Sequence, residues 1–504
     1  MAFAHPLWSI AEVVREVMIQ SADEHNTLAK CAIVSRALSE PALEVLWEKQ
    51  QGLGKLLGLL PASFKKADSG ADVQDQFGNN IESESFVLYN PIQEQQWSRL
   101  VYYAGLVRSF SGMEDAFDGL AAAVLIQKLN GRALFPRLKR LVWKRPFDGA
   151  ASALLVLCLS PMLRNGVYLD VLEGGMGRFR HYSRTGPTAA EYAYGTALQL
   201  IHSHAPKVED VQLWTSGFSC SVARLREFDN LRVLTLRQVI DVALVFDVCK
   251  SLPLLQKLDI YVARPDIEPE PEPVQPAIPE FTHAGLTCLE LNAPPQVALA
   301  ALEALHAPSL RSLGLLFEAY EDTWKRCTEL IASRFADSLR TLDLEVEDSY
   351  HDADIGISLH DWFSPLYTLR ELRSVGISSH FETRFTITAN DVHAMGAAWP
   401  QLEDLRLPTV QDEPLLELPI TLLEVLVTRC LRLKNLTFPL PHHEPLLADE
   451  EVPVPAEKAS VEDVRLFGGS WPPDVHERCM AYLERLFPQA RSILLDEDLE
   501  GDDV

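Results

Sequence analysis

Asn230-Leu231-Arg232-Val233-Leu234-Thr235-Leu236 decides how most of this chain is read. Its leucines fall at positions 231, 234 and 236. Steps of three and then two do not follow a 3.6-residue helical period, but Leu234 and Leu236 share one face of a strand. Val233, Thr235 and Arg237 then point to the opposite face. A strand this short buries little by itself, so it is stable only with copies of itself stacked alongside.

Copies recur along the sequence. Rows opening on an apolar residue begin at Leu138, Val208, Leu231, Leu255, Leu286, Leu310, Leu339, Leu369, Leu402, Leu433, Val461 and Ala490. Nearly all continue as apolar-x-x-apolar-x-apolar, as in Leu286/Leu289/Leu291, Leu339/Leu342/Leu344 and Val461/Val464/Leu466. A weaker row lies at Leu163 to Leu169, with its spacing off by one. From Val208 onward the spacing is roughly 23 to 33 residues, the range of long leucine-rich repeats or slightly beyond. Helical stripes alternate with the rows: Trp324/Cys327/Ile331/Phe335, Val475/Cys479/Leu483/Phe487 and Val297/Ala301/Leu305. The expectation is an α/β chain whose residues 131–504 form a curved leucine-rich-repeat solenoid. Its parallel sheet would lie on the concave side and its helices outside. No asparagine regularly follows the Leu-x-Leu pairs, so the turn backbone must find other hydrogen-bond partners.

Composition narrows the classes of function. At 504 residues the chain exceeds one compact core. Forty-five Lys and Arg against seventy-one Asp and Glu leave a net charge of −26. That argues against a general binder of nucleic acid or anionic membrane. The eight cysteines are scattered and none forms Cys-x-x-Cys. They read as buried thiols of a reducing compartment. No secretory signal opens the sequence, and the longest apolar run, residues 153–159, is too short to span a bilayer. The expected location is the cytoplasm, the nucleus or both.

Residues 1–60 read as a small helical unit. Ser9 with Glu12 forms a capping-box signature, and Ile10, Val13, Val14, Val17 and Met18 make one apolar stripe. A second helix is expected from near Asn26 to Leu38, with Ile33 and Val34 off its main face. A third carries Leu43, Leu46 and Trp47, with Pro41 in its first turn. Residues 61–130 are expected to be linker and helical cap. Within them, 67–85 read as a flexible polar loop and Gln93 to Phe110 as helix.

The run from Ile10 to Val17, then Ala32 to Leu38, then Pro41-Ala42-Leu43 and Leu46-Trp47, resembles an F-box. It looks most like the divergent F-boxes of fungal proteins in which leucine-rich repeats follow. Ala11, Ser35 and Leu38 stand where that family carries proline, cysteine and tryptophan. The resemblance implies a substrate receptor of an SCF-type ubiquitin ligase, with no chemistry of its own. Ile10, Val13, Val17, Ile33 and Val34 would face the small adaptor of the cullin ligase. The repeats would hold an unknown protein substrate. The alternative is a repeat scaffold without a ligase link, its N-terminal helices capping the array.

Side chains between the buried leucines should line the concave wall and receive that substrate. Of these, Trp214, Arg237, Lys257, Tyr261 and Arg406 are the leading candidates, with Asp259, Glu290, Asp343, Glu345 and Asp404 around them. No catalytic residue, metal site or cofactor is assigned. His442-His443-Glu444 lies in a proline-rich stretch and lacks a two-histidine helix face. His351, Asp352, Asp354, His360 and Asp361 read as a polar loop. Gly174-Gly175-Met176-Gly177 lacks the framing of a phosphate loop. An alternating Pro/Glu insertion near 265–279 and an acidic tail, Asp496 to Asp503, complete the chain.

Overall fold

The fold is described from a computed structural model covering residues 10–74, 80–112, 116–117, 119–144, 149–170, 189–214, 219–263, 278–318, 321–347, 356–380, 384–407, 419–439, 459–467 and 473–496. The chain is mixed α/β and divides into two compact units, Met1–Leu255 and Gln256–Val504. The Gly174–Gly177 stretch, most of the Pro/Glu insertion, His351 to Asp354, His442 to Glu444 and the tail beyond Asp496 lie outside the described residues.

In the second unit the strands of the main sheet are Lys257–Val262, Cys288–Asn292, Ser312–Glu318, Thr341–Glu347, Ser374–His380, Asp404–Arg406, Asn435–Pro439, Asp463–Phe467 and Ser492–Asp496. Each pairs in parallel with the next along the chain. Leu258, Leu289, Leu313, Leu342, Val375, Leu405, Leu436, Val464 and Ile493 are successive register partners. Ile260, Leu291, Leu315, Leu344 and Ile377 form a second such line. A doubly wound sheet would reverse its strand order at a switch point. Here sequence order and sheet order coincide, as stacked repeats require.

The first unit follows the same rule. Its strands Lys49–Gln50, Ser109–Gly112, Arg140–Trp143, Val167–Asp170, Asp210–Trp214 and Val233–Val239 pair in parallel. Phe110, Leu141, Val167, Val211 and Leu234 are register partners. The ladder therefore begins well ahead of residue 131. The odd spacing at Leu163 is absorbed at Gly166, whose φ of 145° only glycine adopts readily. Its carbonyl still accepts from Leu141 N–H at 2.9 Å.

Three local expectations need correction. The row placed at Leu369 opens at Leu372, because Val375 and Ile377 are the residues in register. Leu369 and Leu372 are both fully buried, so apolar character alone did not separate them. Residues 67–74 and 80–85 are not a loop: Phe64–Gln74 and Asn80–Leu88 pair as antiparallel strands. Buried Phe64 and Phe86 both lie at the open end of the pair, and the polar residues between them hid it. Gln93 to Phe110 is not one helix: the helix ends at Ala104, and Phe110 lies in the strand Ser109–Gly112.

With no asparagine ladder, the turn backbone pairs with itself. In most rows two successive N–H groups donate to one carbonyl of the row before. Arg340 and Thr341 donate to Arg311 O at 2.8 and 2.9 Å, and Arg373 and Ser374 to Arg340 O at 2.7 and 3.0 Å. Glu403 and Asp404 use Arg373 O in the same way, at 2.7 and 2.9 Å. Buried donors and acceptors are thereby satisfied row by row. Side chains at this position form ion pairs along the edge: Arg373 with Glu403 at 3.6 Å, Lys434 with Glu403 at 2.8 Å and Arg491 with Glu462 at 2.7 Å.

Helices supply the other side of the core. Trp324, Cys327, Ile331 and Phe335 are all buried, on and just past Glu321–Arg334, and Trp324 stacks on Trp362 at 5.3 Å. Cys479, Leu483 and Phe487 are buried likewise, as are Ala301 and Leu305.

At the N-terminus α1 (Ala11–Gln20), α2 (His25–Val34) and α3 (Arg36–Glu48) form a small bundle. Val14, Met18, Leu28 and Ala42 are its buried core, flanked by Cys31, Ala32, Leu38, Val45 and Leu46. Ile10, rather than Ser9, stands at the N-cap of α1, and Ser9 lies outside the described residues. The expected second helix breaks at Ser35, whose Oγ accepts from Leu38 N–H at 3.3 Å and so caps α3. Pro41 consequently lies inside α3, past its first turn. No linker follows α3: it runs into the strand Lys49–Gln50.

Candidate functional site

Two surfaces collect the side chains singled out from the sequence. The first is on the helical module. A bundle of three short helices can bury only one stripe of each. Val14 and Met18 take the inward positions of α1, which leaves Ile10, Val13 and Val17 outside at 44, 37 and 44% exposure. On α2, Ile33 and Val34 are 85 and 70% exposed. All five residues expected to meet an adaptor are therefore exposed apolar side chains. Exposed β-branched residues concentrated on two short helices are unusual for a surface with no partner.

The module is tied to the first rows through Glu44 and Glu48 of α3. Glu44 takes Arg15 at 3.6 Å, Arg108 at 3.5 Å and Arg137 at 3.9 Å. Glu48 pairs with Arg15 at 2.9 Å, and its carbonyl accepts from Arg108 N–H at 2.9 Å.

The second is, within each unit taken by itself, the sheet face turned away from the helices. Period-two alternation sends the leucines inward and the intervening residues to this face. In the first unit Arg237 and Trp214 are register partners, and the guanidinium sits over the indole at 5.9 Å. Beside Trp214 in register lies Asp170, buried at 3% exposure and accepting from Tyr168 Oη at 3.3 Å. Burial raises the Asp170 carboxyl above its ordinary value, against the pull of Tyr168, Lys144 and Arg237. The Tyr168 phenol is pushed up to about 12 by burial and by Asp170.

In the second unit Lys257, Tyr261 and Arg406 share their face with a concavity of about 390 Å³. Asp259, Glu290, Gly314, Asp343, Gly376 and Arg406 are consecutive register partners across its floor. Lys257 Nζ meets Glu290 Oε1 at 2.6 Å. Arg406 reaches over Gly376 to Asp343 Oδ1 at 2.8 Å and meets Asp404 at 3.6 Å. A Cβ at position 376 would overlap that same carboxylate oxygen. Burial raises the Asp343 carboxyl, Arg406 lowers it, and Asp404 and Glu290 raise it further.

Trp214 and Tyr261 are half-buried rather than fully exposed. Gly314 and Gly376 were not among the residues singled out. Their signal was present, since a glycine inside a strand marks a close approach.

His360 Nδ1 lies 3.3 Å from Asp391, a buried carboxylate that also accepts from Tyr367 and closes the capping box at Thr388. Asp361 N–H is capped by Ser358. Among the described residues no three His, Cys, Asp or Glu side chains gather in a metal-binding group, and no helix is long and apolar enough to cross a membrane.

No protein-family model matches the chain, and no curated protein matches it. Among solved structures it is similar to a plant peptide hormone receptor, RGFR1, in complex with RGF2. The identity is 10%, over 79% of this chain and 69% of that one, with a TM-score of 0.23. A similarity of that size carries no functional argument.

Proposed function

We propose that this chain is the target-recognition subunit of an SCF-type ubiquitin ligase. Its stacked rows are read as leucine-rich repeats and its three N-terminal helices as a divergent F-box. The helices dock on the small adaptor of the cullin ligase, and the open sheet face holds a protein target. The chain itself performs no chemistry.

One observation carries this reading: Ile10, Val13, Val17, Ile33 and Val34 stay exposed on a module that Glu44 ties to the rows through Arg108 and Arg137. Burial of such side chains at an interface is worth roughly 25 cal/mol per Å² of apolar area, before the costs of association. Val13→Asp combined with Val34→Asp places a charge on the exposed part of each helix and leaves the Val14/Met18/Leu28 core intact. The double variant is expected to fold, by circular dichroism and thermal melting, and to lose co-purification with the adaptor. Undiminished recovery of the adaptor with the folded double variant overturns the reading.

A second reading has its own support. Because α3 passes directly into Lys49–Gln50, the terminal strand of the sheet, the module stands where the first edge of the sheet needs a cap. A protein-binding scaffold capped in this way needs no adaptor, and the same pull-down separates the two readings.

A further inference from the structure

The edge at which the rows of the second unit begin carries charge that its own side chains do not balance. Residues 256–504 hold nineteen Lys and Arg against forty-five Asp and Glu, so bases gathered at one position do not follow from composition. The position is the one whose N–H and carbonyl join successive rows. Over the later rows bases and acids alternate along it: Arg373, Glu403, Lys434, Glu462 and Arg491. Glu403 is shared by Arg373 at 3.6 Å and Lys434 at 2.8 Å, and Glu462 holds Arg491 at 2.7 Å. In the first unit Glu209 takes Arg164 and Arg232 in the same manner.

The alternation fails at Arg311, Arg340 and Arg373. Three arginines follow one another in adjacent rows, with Arg340 N–H donating to Arg311 O at 2.8 Å and Arg373 N–H to Arg340 O at 2.7 Å. Rows bonded in this way stand about 4.8 Å apart, where like charges repel. Glu371 relieves Arg340 in part, at 3.4 Å, and Arg373 has only its share of Glu403. Arg311 is exposed, and among the described residues its guanidinium has no ion pair or hydrogen bond. The turns leading into the same strands add Arg370 and Arg432, exposed and likewise without an ion pair among the described residues, against Asp337. With Glu371 and Glu403 counted, the edge from 311 to 434 is positive.

The spacing selects the form of an acidic partner. Three successive rows span about 9.6 Å. Carboxylates at i, i+3 and i+7 of an α-helix share one face and spread over about 10.5 Å. Three alternate side chains of an extended strand need roughly 13 Å. The helix keeps step with the three arginines and the strand does not. A guanidinium also takes a carboxylate through two parallel N–H donors. A nucleic acid offers anions too, but a polyanion is repelled by the rest of so acidic a unit, whereas a helix brings one local stripe.

We propose that this edge docks an acidic helix of a protein partner, with carboxylates at i, i+3 and i+7 meeting Arg311, Arg340 and Arg373. The edge uses none of the residues assigned to the adaptor or to the target, so the proposal stands apart from the ligase reading. Its basis is complementarity of charge and of spacing, with the unpaired Arg311 as the leading contact.

The test uses the full-length chain and a fluorescein-labelled alanine- and glutamine-rich peptide of about twenty residues, long enough to form a helix. Its only charges are glutamates at i, i+3 and i+7, and binding is followed by fluorescence anisotropy at physiological ionic strength. One control peptide spreads the same glutamates over different faces, and another carries a central proline. A short DNA duplex supplies phosphates instead. The helical peptide is expected to bind, and both control peptides and the duplex to bind at least about fivefold more weakly. Arg311→Glu is expected to weaken the helical peptide at least about tenfold. Arg311→Gln, expected to weaken it about threefold, decides the matter if Arg311→Glu fails to fold. Lys325→Glu makes the same reversal on the exposed face of the helix Glu321–Arg334 and should leave affinity unchanged.

Several results overturn the proposal. No binding of the helical peptide removes the ligand, and equal affinity for the scattered or proline peptide reduces the contact to charge without a helix. Full affinity in folded Arg311→Glu, or in Arg311→Gln, takes the ladder out of the contact. An equal loss in Lys325→Glu marks non-specific attraction. Tighter binding of the duplex, lost in Arg311→Glu, assigns the edge to nucleic acid instead.

Discussion

Gly376 shows how one residue organises the second unit's open face. Its register partners are Asp343 and Arg406, and only the absence of a Cβ lets their side chains meet across it. Gly376→Ala should force Asp343 aside, break the 2.8 Å pair and cost about 1–3 kcal/mol in urea denaturation. In an Asp343→Ala background the same change should cost much less. Equal costs in the two backgrounds would mean that the carboxylate is not the obstacle. This arrangement was only partly legible in the sequence. Asp343 and Arg406 were readable as wall residues from strand alternation, but they lie 63 positions apart. Nothing local to either residue announces that pair.

At the scale of elements, the buried side of each row was legible and the polar edge was not. A leucine at a strand position has one low-energy place, the core, so Leu258, Leu289, Leu313 and Leu342 align in register as their spacing requires. Where two apolar triplets compete, as at Leu369 and Leu372, spacing alone chose the wrong one. The backbone shelf that replaces an asparagine ladder leaves no mark on side-chain identity, since any residue can donate its N–H. Its charged side chains do make a testable contribution. The Glu403 carboxyl is held below its ordinary value mainly by the hydrogen bond from Lys434, with Arg373 adding to it. A depressed carboxylate stabilises the fold above its unfolded pKa, and that contribution fades as pH falls through the lower folded value. Glu403→Gln should therefore cost a few tenths of a kcal/mol, up to about 1, at neutral pH. The difference from the parent should close below about pH 4. Chemical denaturation of both proteins across that range checks it, and a gap that persists at low pH would rule out the ionic origin.

For the molecule as a whole, each compact unit repeats one structural idea, and the N-terminal helices add a different one. Their apolar face was legible because Ile10, Val13 and Val17 share the helical period with Val14 and Met18. Which side of that stripe turned inward required packing, and the core took Val14 and Met18. The direct passage from α3 into the first strand was not legible, since Lys49-Gln50 carries no strand signal of its own. The ligase reading concentrates on the face that packing left outside. Hydrogen exchange of the intact chain, alone and with saturating purified adaptor, tests it most directly. Slowed exchange over Ala11–Gln20 and His25–Val34, with the strand rows unchanged, is the predicted result. Identical exchange in both helices with and without adaptor would contradict it.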